Sequence, residues 1–137
     1  MDNSDVLKVM VVDDSPIIVK KLTVLLETLG YKVIQTAENG KDAVEIYKRL
    51  QLIDFKPDVI TMDITMPEMD GIEATRTIMN EFPDTKIVMV TSHGQEAMVL
   101  NALKAGAKGY VLKPFDQQKV YETIQKACKR KVQLQFG

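Results

Sequence analysis

The sequence predicts an α/β fold: a doubly wound, parallel sheet of five strands with five helices. Short apolar segments, typical of buried strands, alternate with longer segments whose apolar residues recur every three or four positions, as on one face of a helix. This alternation is typical of parallel β-α-β units joined by right-handed crossovers. The length of 137 residues is usual for one domain, and no break in composition indicates a second.

The first predicted strand and helix have clear boundary signals. Residues 7–12 are apolar except for Lys8, as expected for a strand that is covered on both faces. Ser15 and Pro16 are favoured at the start of a helix, and Gly30 is favoured just after its end. Between these signals lies an apolar stripe made of Ile18, Leu22, Leu25, Leu26 and Leu29.

The same strand–helix unit recurs along the rest of the chain with different residues. Asn39 and Asp116 are predicted helix caps, and Gly106 is a predicted helix stop. The predicted strands are residues 31–36, 58–62, 86–91 and 109–112. The predicted helices begin after Asn39, cover residues 72–81 and 96–105, and begin again after Asp116, with a loop at residues 65–71.

Composition and charge argue against several classes of protein. The net charge of −1 creates no general attraction to nucleic acid or to an anionic membrane, and the basic residues near the C-terminus suit the end of a helix dipole. One cysteine allows no internal disulfide, and no apolar stretch approaches the roughly 20 residues that cross a bilayer. Residues 1–5 are acidic and polar, unlike a signal peptide. We therefore expect a cytoplasmic protein that binds no nucleic acid and inserts into no membrane.

Acidic residues follow two of the predicted strands. Asp13 and Asp14 come after the first strand, Asp63 follows the third, and Lys113 follows the fifth. In open parallel sheets ligands collect beyond the carboxyl ends of the strands, so these side chains are expected to converge there. Crowded carboxylates resist joint ionisation unless a cation neutralises them, and Mg2+ suits oxygen ligands. Such a site can bind a phosphoryl donor and offer an aspartate as nucleophile.

Several segments at this edge resemble a known family. They are Val-Val-Asp-Asp at 11–14, Met-Asp at 62–63 with Met-Pro-Glu-Met-Asp-Gly at 66–71, Val-Thr-Ser at 90–92, Ala-Gly-Ala at 105–107 and Lys-Pro-Phe at 113–115. With these segments the chain resembles the receiver domain of bacterial response regulators, and within that family the CheY chemotaxis regulators. The resemblance covers about residues 7–131. It implies a flavodoxin-like, CheY-like sheet with strand order 2-1-3-4-5, an order that the periodicity alone does not supply.

The resemblance also implies roles for the acids. Asp63 is the expected phosphoacceptor, which attacks phosphorus in line to give an acyl phosphate. Asp14 is expected to ligate Mg2+ directly and Asp13 mainly through water, while Asp63 and the backbone carbonyl of Thr65 add further oxygens. Asp70 is expected to shape the turn before Gly71 rather than to contact the metal.

Further residues have implied roles around the acceptor. Lys113 is expected to pair with a phosphoryl oxygen, and its peptide bond to Pro114 is expected to be cis. Thr91 is expected to bind another phosphoryl oxygen and to move on phosphorylation, with Tyr110 swinging inward as it moves. Thr65 stands where other members often carry Asn, and Ser92 and His93 follow Thr91. These three side chains flank the expected path of the attacking water, so they are expected to set the lifetime of the phosphate.

The predicted function is that of a stand-alone response regulator. Because the last helix ends close to the C-terminus, residues 1–137 are expected to form a single receiver domain with a core at 7–131 and no output domain. The resemblance implies a CheA-like histidine kinase as donor, a FliM-like flagellar motor switch protein as target and an auxiliary phosphatase. It also implies a monomer that is a phosphoacceptor rather than an enzyme, with slow self-dephosphorylation.

Three alternatives remain open from the sequence. A single-domain phosphorelay intermediate, or a regulator of a pathway other than chemotaxis, would have the same site. An aspartate-nucleophile phosphohydrolase has an Asp-x-Asp pattern after its first strand, whereas this chain has Asp13-Asp14 there. A flavin-binding module needs a phosphate loop rich in Ser, Thr and Gly after that strand, and residues 14–17 are neither glycine-rich nor suited to an anion.

Overall fold

The computed structural model describes residues 6–133, in which strands and helices alternate along the whole chain. The strands are β1 (Lys8–Val12), β2 (Lys32–Ala37), β3 (Val59–Met62), β4 (Ile87–Thr91) and β5 (Gly109–Leu112). The helices are α1 (Pro16–Thr28), α2 (Gly40–Leu52), α3 (Gly71–Glu81), α4 (Glu96–Ala105) and α5 (Gln117–Ala127). The polar N-terminus at residues 1–5 and the last four residues of the predicted domain lie outside the described part.

The strands described between residues 6 and 133 form one parallel sheet with the order β2-β1-β3-β4-β5. The predicted fold class and strand order are thereby confirmed. Alternate residues of β1 face opposite layers: Met10 and Val12 pack in the cluster with α2, α3 and α4, whereas Val9 and Val11 pack with α1 and α5. The strands β1, β3 and β4 are therefore buried on both faces, which explains their almost continuous apolar sequences, whereas β2 at the edge of the sheet is only partly buried.

Side-chain caps begin four of the helices: the three predicted caps Ser15, Asn39 and Asp116, and also Asp70, which was expected only to shape a turn. The side chains of Ser15, Asn39, Asp70 and Asp116 accept hydrogen bonds from backbone N–H groups in the first turns of α1, α2, α3 and α5. Since Asp70 caps α3, that helix begins at Gly71, one residue before the predicted start. These caps end four of the strand–helix loops at a defined residue, whereas α4 begins after Gln95 without a side-chain cap.

One strand is shifted by one residue from its predicted position. Gly30 lies in the left-handed region with φ of +96°, and the N–H of Tyr31 donates to the carbonyl of Leu26 at 3.1 Å. Tyr31 therefore belongs to the turn that ends α1, and β2 begins at Lys32. At the other end, the N–H of Asp13 donates to the carbonyl of Ala37 at 3.1 Å, which extends the strand to that residue.

Within residues 6–133, none of the helices combines the length and the apolar character that a membrane span requires.

The hydroxyl of Thr61 gives a test of packing inside the sheet. It is the buried side-chain polar atom that has no hydrogen-bond partner among the described residues, and Thr61 is 1% exposed. Thr61→Val should therefore stabilise the protein by up to about 1 kcal/mol, because it removes an unsatisfied polar group at nearly constant volume. Denaturant unfolding at equilibrium measures this difference.

The matched control for this prediction is Thr85→Val. The Thr85 hydroxyl bonds to the Tyr47 hydroxyl at 2.9 Å and donates to the carbonyl of Phe82 at 2.7 Å. Its loss should cost roughly 1–2 kcal/mol, since both partners lose a bond. Equal destabilisation by the two substitutions would contradict the assignment of Thr61 as unsatisfied.

Candidate functional site

The parallel sheet brings the predicted acids to one place. β1 and β3 are neighbours in register, with Val12 opposite Met62, so that the residues after them, Asp13 and Asp63, emerge side by side. The N–H of Asp63 also donates to the carbonyl of Val12 at 3.0 Å. One carboxylate oxygen from each of Asp13, Asp14 and Asp63 lies within 4.8 Å of the other two. Three acids therefore share one small volume at the carboxyl edge.

Lys113 places its ammonium group between the two buried acids. Its Nζ lies 2.8 Å from Oδ2 of Asp13 and 3.4 Å from Oδ2 of Asp63. Asp13 and Asp63 are buried, and most of the lysine side chain is buried with them. One positive charge thus faces two negative ones away from bulk water, and the pair of acids keeps an excess of negative charge.

Backbone N–H groups fix the second oxygen of each buried acid. Oδ1 of Asp13 accepts from the N–H of Ser15 at 2.9 Å, and Oδ1 of Asp63 accepts from the N–H of Ile64 at 2.8 Å. Each carboxylate is therefore held at one oxygen by the backbone and faces Lys113 with the other. Asp14, in contrast, is exposed to solvent.

The electrostatics of the pocket disfavour the ionised form of Asp63. Burial raises the pKa of its carboxyl group above the ordinary value, and the negative charge of Asp13 raises that pKa further. The ammonium group of Lys113 and the N–H of Ile64 lower the pKa in the opposite direction, but the net shift is upward. A further cation in the pocket would relieve this cost.

The chemistry of the acids fits a hard divalent cation. All three ligand candidates are carboxylates, they converge within 4.8 Å, and one of them is exposed, which gives an ion a path from solvent. Divalent ions such as Mg2+ prefer oxygen ligands and retain part of their water shell, which a site open on one side allows. The pocket is therefore suited to hold a metal ion.

His93 links the predicted switch residues to the loop after Asp63. Its ring Nε2 lies 2.6 Å from the hydroxyl of Thr65, its N–H donates to the hydroxyl of Thr91 at 3.3 Å, and its carbonyl accepts from the hydroxyl of Tyr110 at 2.6 Å. Thr91 is fully buried at the end of β4, and burial raises the pKa of Tyr110. The predicted site residues thus fall into two groups: three acids with Lys113, and three hydroxyl residues joined by His93.

Two glycines have a role that the sequence does not reveal. A Cβ built on Gly71 would overlap the carbonyl oxygen of Asp63, and a Cβ built on Gly40 would overlap the carbonyl oxygen of Met69. The N–H groups of these glycines donate to Ile64 at 2.7 Å and to Met69 at 3.0 Å. Because they lack a side chain, these glycines let the starts of α2 and α3 approach the loop that follows Asp63. The Asp-Gly pair indicates a turn but not this close contact.

The peptide bond between Lys113 and Pro114 is cis, as the resemblance implies.

Comparison with known proteins identifies one family. A family model described as the response regulator receiver domain matches residues 9–125. The chain is 45% identical over 122 residues to the chemotaxis protein CheY of Thermotoga maritima, a match that covers 89% of this chain and 98% of that protein. It is 41% identical over 119 residues to the chemotaxis protein CheY of Bacillus subtilis, covering 87% and 95% respectively.

A solved structure agrees with these relatives. The chain superposes on a chain from the crystal structure of the CheX–CheY–BeF3–Mg2+ complex of Borrelia burgdorferi with a TM-score of 0.82 and 37% sequence identity. This match covers 88% of the present chain and 87% of the other.

Replacement of Asp63 by Asn tests the electrostatics of the pocket. A carboxyl group whose folded-state pKa is raised costs stability at pH values above that pKa and costs nothing below its ordinary pKa, where both states are protonated. Without divalent ions, Asp63→Asn should therefore raise Tm at pH 8 by about 4 °C, on the order of 1 kcal/mol. The gain should fade as the pH falls toward about 4, near the ordinary pKa of a carboxyl group.

Thermal denaturation in EDTA across this pH range measures the effect. Asp70→Asn is the control, because asparagine caps α3 as well as aspartate does and Asp70 is exposed. A gain that does not change with pH, or a lower Tm at pH 8, would contradict the described charge balance.

Proposed function

The chain belongs to the response regulator receiver family, closely related to the CheY chemotaxis regulators, and we propose that it acts as a stand-alone response regulator phosphorylated on Asp63. The observation that carries this proposal is the convergence of Asp13, Asp14 and Asp63 with Lys113 at the carboxyl edge of the sheet. Families of this kind are signalling phosphoacceptors, and we propose that this chain signals through contact with a protein partner.

The proposed cofactor is Mg2+. Asp14 is proposed as a direct ligand and Asp13 as a ligand mainly through water, with Asp63 and the backbone carbonyl of Thr65 completing the set of protein oxygens. When bound, the ion supplies positive charge that offsets the acids and the oxygens of the transferred phosphoryl group. Lys113, already 3.4 Å from Asp63, supplies a second positive charge in the same place.

The proposed reaction transfers a phosphoryl group from a histidine kinase. An oxygen of the Asp63 carboxylate attacks phosphorus in line, an O–P bond forms, and the P–N bond to the kinase imidazole breaks. The electron pair of that bond stays on the imidazole, which takes up a proton from solvent. The N–H of Ile64 holds the other oxygen of the carboxylate and so orients the nucleophile.

Thr91 and Tyr110 are proposed to report the phosphorylated state. Thr91 is proposed to turn its hydroxyl to a phosphoryl oxygen, which releases the hydrogen bond that it now accepts from His93. The carbonyl of His93 also accepts a hydrogen bond from the hydroxyl of Tyr110. A change at Thr91 is therefore proposed to reach the face formed by α4, β5 and α5. Exposed apolar side chains on this face, Leu100, Leu103 and Leu112, are suited to a protein partner.

The proposed partners follow from the relation to CheY. They are a CheA-like histidine kinase, a FliM-like flagellar motor switch protein and an auxiliary phosphatase, all met in the cytoplasm by a monomeric regulator. The chain is proposed to act on no nucleic acid and no membrane, and to catalyse nothing beyond its own slow dephosphorylation. A phosphorelay intermediate would share the chemistry but not the affinity for a switch protein.

Labelling by acetyl phosphate tests the acceptor. With Mg2+, the wild-type protein should gain the mass of one phosphoryl group, and Asp63→Asn should gain none, because an amide is not a nucleophile for phosphorus. Mass spectrometry of the intact protein and of its peptides reads the result. Asp70→Asn, in the same loop, is the control and should be labelled like the wild type.

Two outcomes would overturn this assignment. Label at the same site in Asp63→Asn would show that another residue is the acceptor. Steady turnover of a phosphate ester that is lost in Asp63→Asn would instead identify a phosphohydrolase.

Lys113→Ala tests how phosphorylation reaches the output face. The variant should still bind Mg2+, since the three carboxylates remain, but its phosphorylated form should not gain affinity for the switch protein. In the wild type phosphorylation should raise that affinity about tenfold, within the usual range of allosteric coupling. Isothermal titration with purified switch protein, with and without acetyl phosphate, measures both states.

Lys41→Ala, at the start of α2, is the matched control and should keep the gain in affinity. A normal gain in phosphorylated Lys113→Ala would refute the coupling role of the lysine. Equal weak binding of both states by the wild type would refute motor output and favour the phosphorelay alternative.

A further inference from the structure

Exposed apolar side chains are grouped at the end of the molecule opposite the acids. Leu52, Ile53 and Phe55, here called the α2-end patch, are 85%, 68% and 45% exposed. They occupy the last residue of α2 and the turn that follows it. Phe55 lies beside the start of β1, because the Nζ of Lys8 is 5.9 Å from the centre of its ring. Since β1 is five residues long, about 17 Å of strand separates this patch from Asp13.

The backbone holds the α2-end patch in a fixed conformation. The N–H of Ile53 donates to the carbonyl of Arg49 at 3.2 Å, and the N–H of Phe55 donates to the carbonyl of Leu50 at 2.9 Å. Asp54 between them adopts a left-handed φ of 55°, which reverses the chain after α2. A surface that is fixed in this way loses little conformational entropy when a partner binds.

A groove adjoins the patch and can receive an apolar side chain. It has a volume of about 300 Å3 and is lined by Val6, Lys8, Lys32 and Phe55. Lys8 and Lys32 are register partners at the start of the neighbouring strands β1 and β2, so the groove lies at the amino ends of these strands. The groove and the patch share Phe55, and together they form one continuous surface.

Several cationic side chains lie around this surface. Lys32, Arg49 and Lys56 are exposed and form no ion pair with any residue between 6 and 133. Arg49 precedes Ile53 by one helical turn and therefore lies on the same side of α2. Lys8 is already engaged by Asp58, whose Oδ2 lies 3.8 Å from its Nζ and 2.7 Å from its backbone nitrogen. Acids also lie nearby, namely Asp54 within the patch and Asp84 in the pocket that Lys56 lines. Of the two lysines that line the groove, however, Lys8 is paired among the described residues and Lys32 is not, so the groove itself presents a free cation.

We propose that the α2-end patch binds an acidic segment of a partner protein that carries one aromatic or large aliphatic anchor. The anchor packs on Leu52, Ile53 and Phe55 at the mouth of the groove. The acidic side chains of the segment pair with Lys32, Arg49 and Lys56, which gives the complex its orientation. An apolar centre with a polar, charged rim is the usual composition of such a surface.

Two other occupants fit the charges less well. A symmetric dimer would bring the lysines and Arg49 of both copies to one interface and so concentrate their positive charge there. Against an anionic membrane, Asp54 and Asp58 would be pressed toward negative lipid headgroups. A peptide segment can place its carboxylates against the cations and leave the two aspartates in water.

The site is independent of the phosphoacceptor. It lies at the opposite edge of the sheet from Asp63 and includes neither Thr91 nor Tyr110. Binding at the α2-end patch should therefore hold the regulator near its partner in both phosphorylation states.

Selection from a displayed random peptide library tests the proposal. The library is panned on the wild-type protein after depletion on a Leu52→Ser variant, whose changed side chain is 85% exposed and carries no part of the core. The enriched peptides should contain several acidic residues around an aromatic or large aliphatic one. Fluorescence anisotropy then gives the Kd of the most enriched peptide.

The variants make the location specific. Leu52→Ser, Phe55→Ser and Lys32→Glu should each weaken the peptide about tenfold or more, and added salt should weaken it on the wild type. Val24→Ser, an exposed apolar residue of α1, and Lys41→Glu, at the other end of α2, are the matched controls and should leave the Kd unchanged. Thermal melts confirm that each variant is folded.

Several results would overturn the proposal. They are the absence of enrichment over the depleted variant, enriched peptides without acidic residues, and a Kd that Leu52→Ser leaves unchanged. Dimerisation in sedimentation, or binding to vesicles that contain phosphatidylserine, if either is lost in Leu52→Ser, would assign the patch to a second copy or to lipid instead. A Kd that changes on treatment with acetyl phosphate and Mg2+ would refute its independence from Asp63.

Discussion

A single ammonium group, that of Lys113, offsets only part of the charge of two carboxylates that the sheet brings together. Asp13 and Asp63 follow neighbouring strands in register, and the backbone holds one oxygen of each, so neither can move away from the other without breaking a hydrogen bond. The remaining negative charge is a property of the fold rather than of a flexible loop. The rest of the site, from the exposed Asp14 to the loop after Asp63, is arranged around this unbalanced charge.

The position of Lys113 shows why a long side chain is needed there. In the described sheet β5 is separated from β3 by β4, and adjacent strands lie about 4.8 Å apart. The lysine must therefore reach across the end of β4, where Thr91 is buried, to come within 3.4 Å of Asp63. Asp63, Thr91 and Lys113 thus lie at the carboxyl ends of three neighbouring strands, β3, β4 and β5.

The sequence predicts much of this arrangement because local signals decide it. The alternation of apolar periods gives the strands and helices, and Ser15, Asn39 and Asp116 cap their helices as expected. Local signals do not predict the order of the strands, because that order depends on which face of the sheet each helix covers. Only the resemblance to a known family predicts it. The shift of β2 arises from a hydrogen bond between Tyr31 and Leu26, which no pattern of apolar residues encodes.

The site was predictable in its charged residues but not in its contacts. That acids follow β1 and β3 is visible in the sequence, whereas the preference of Lys113 for Asp13 over Asp63 depends on the path of one flexible side chain. Gly71 reads as a turn residue, and only its approach to the carbonyl of Asp63 shows why a side chain is excluded. Leu52 and Ile53 continue an apolar run that resembles core until the turn at Asp54 places them outside.

The three bonds of His93 differ in kind, and the difference bears on how this architecture can vary between species. Two of them, to Thr91 and Tyr110, use main-chain atoms that every amino acid other than proline possesses, whereas the bond to Thr65 uses the imidazole. A mutation at this position can therefore exchange the side chain that contacts Thr65 while the two main-chain hydrogen bonds to Thr91 and Tyr110 persist. Sequence variation at position 93 can thus alter the surroundings of the loop after Asp63 without disturbing the main-chain link between Thr91 and Tyr110.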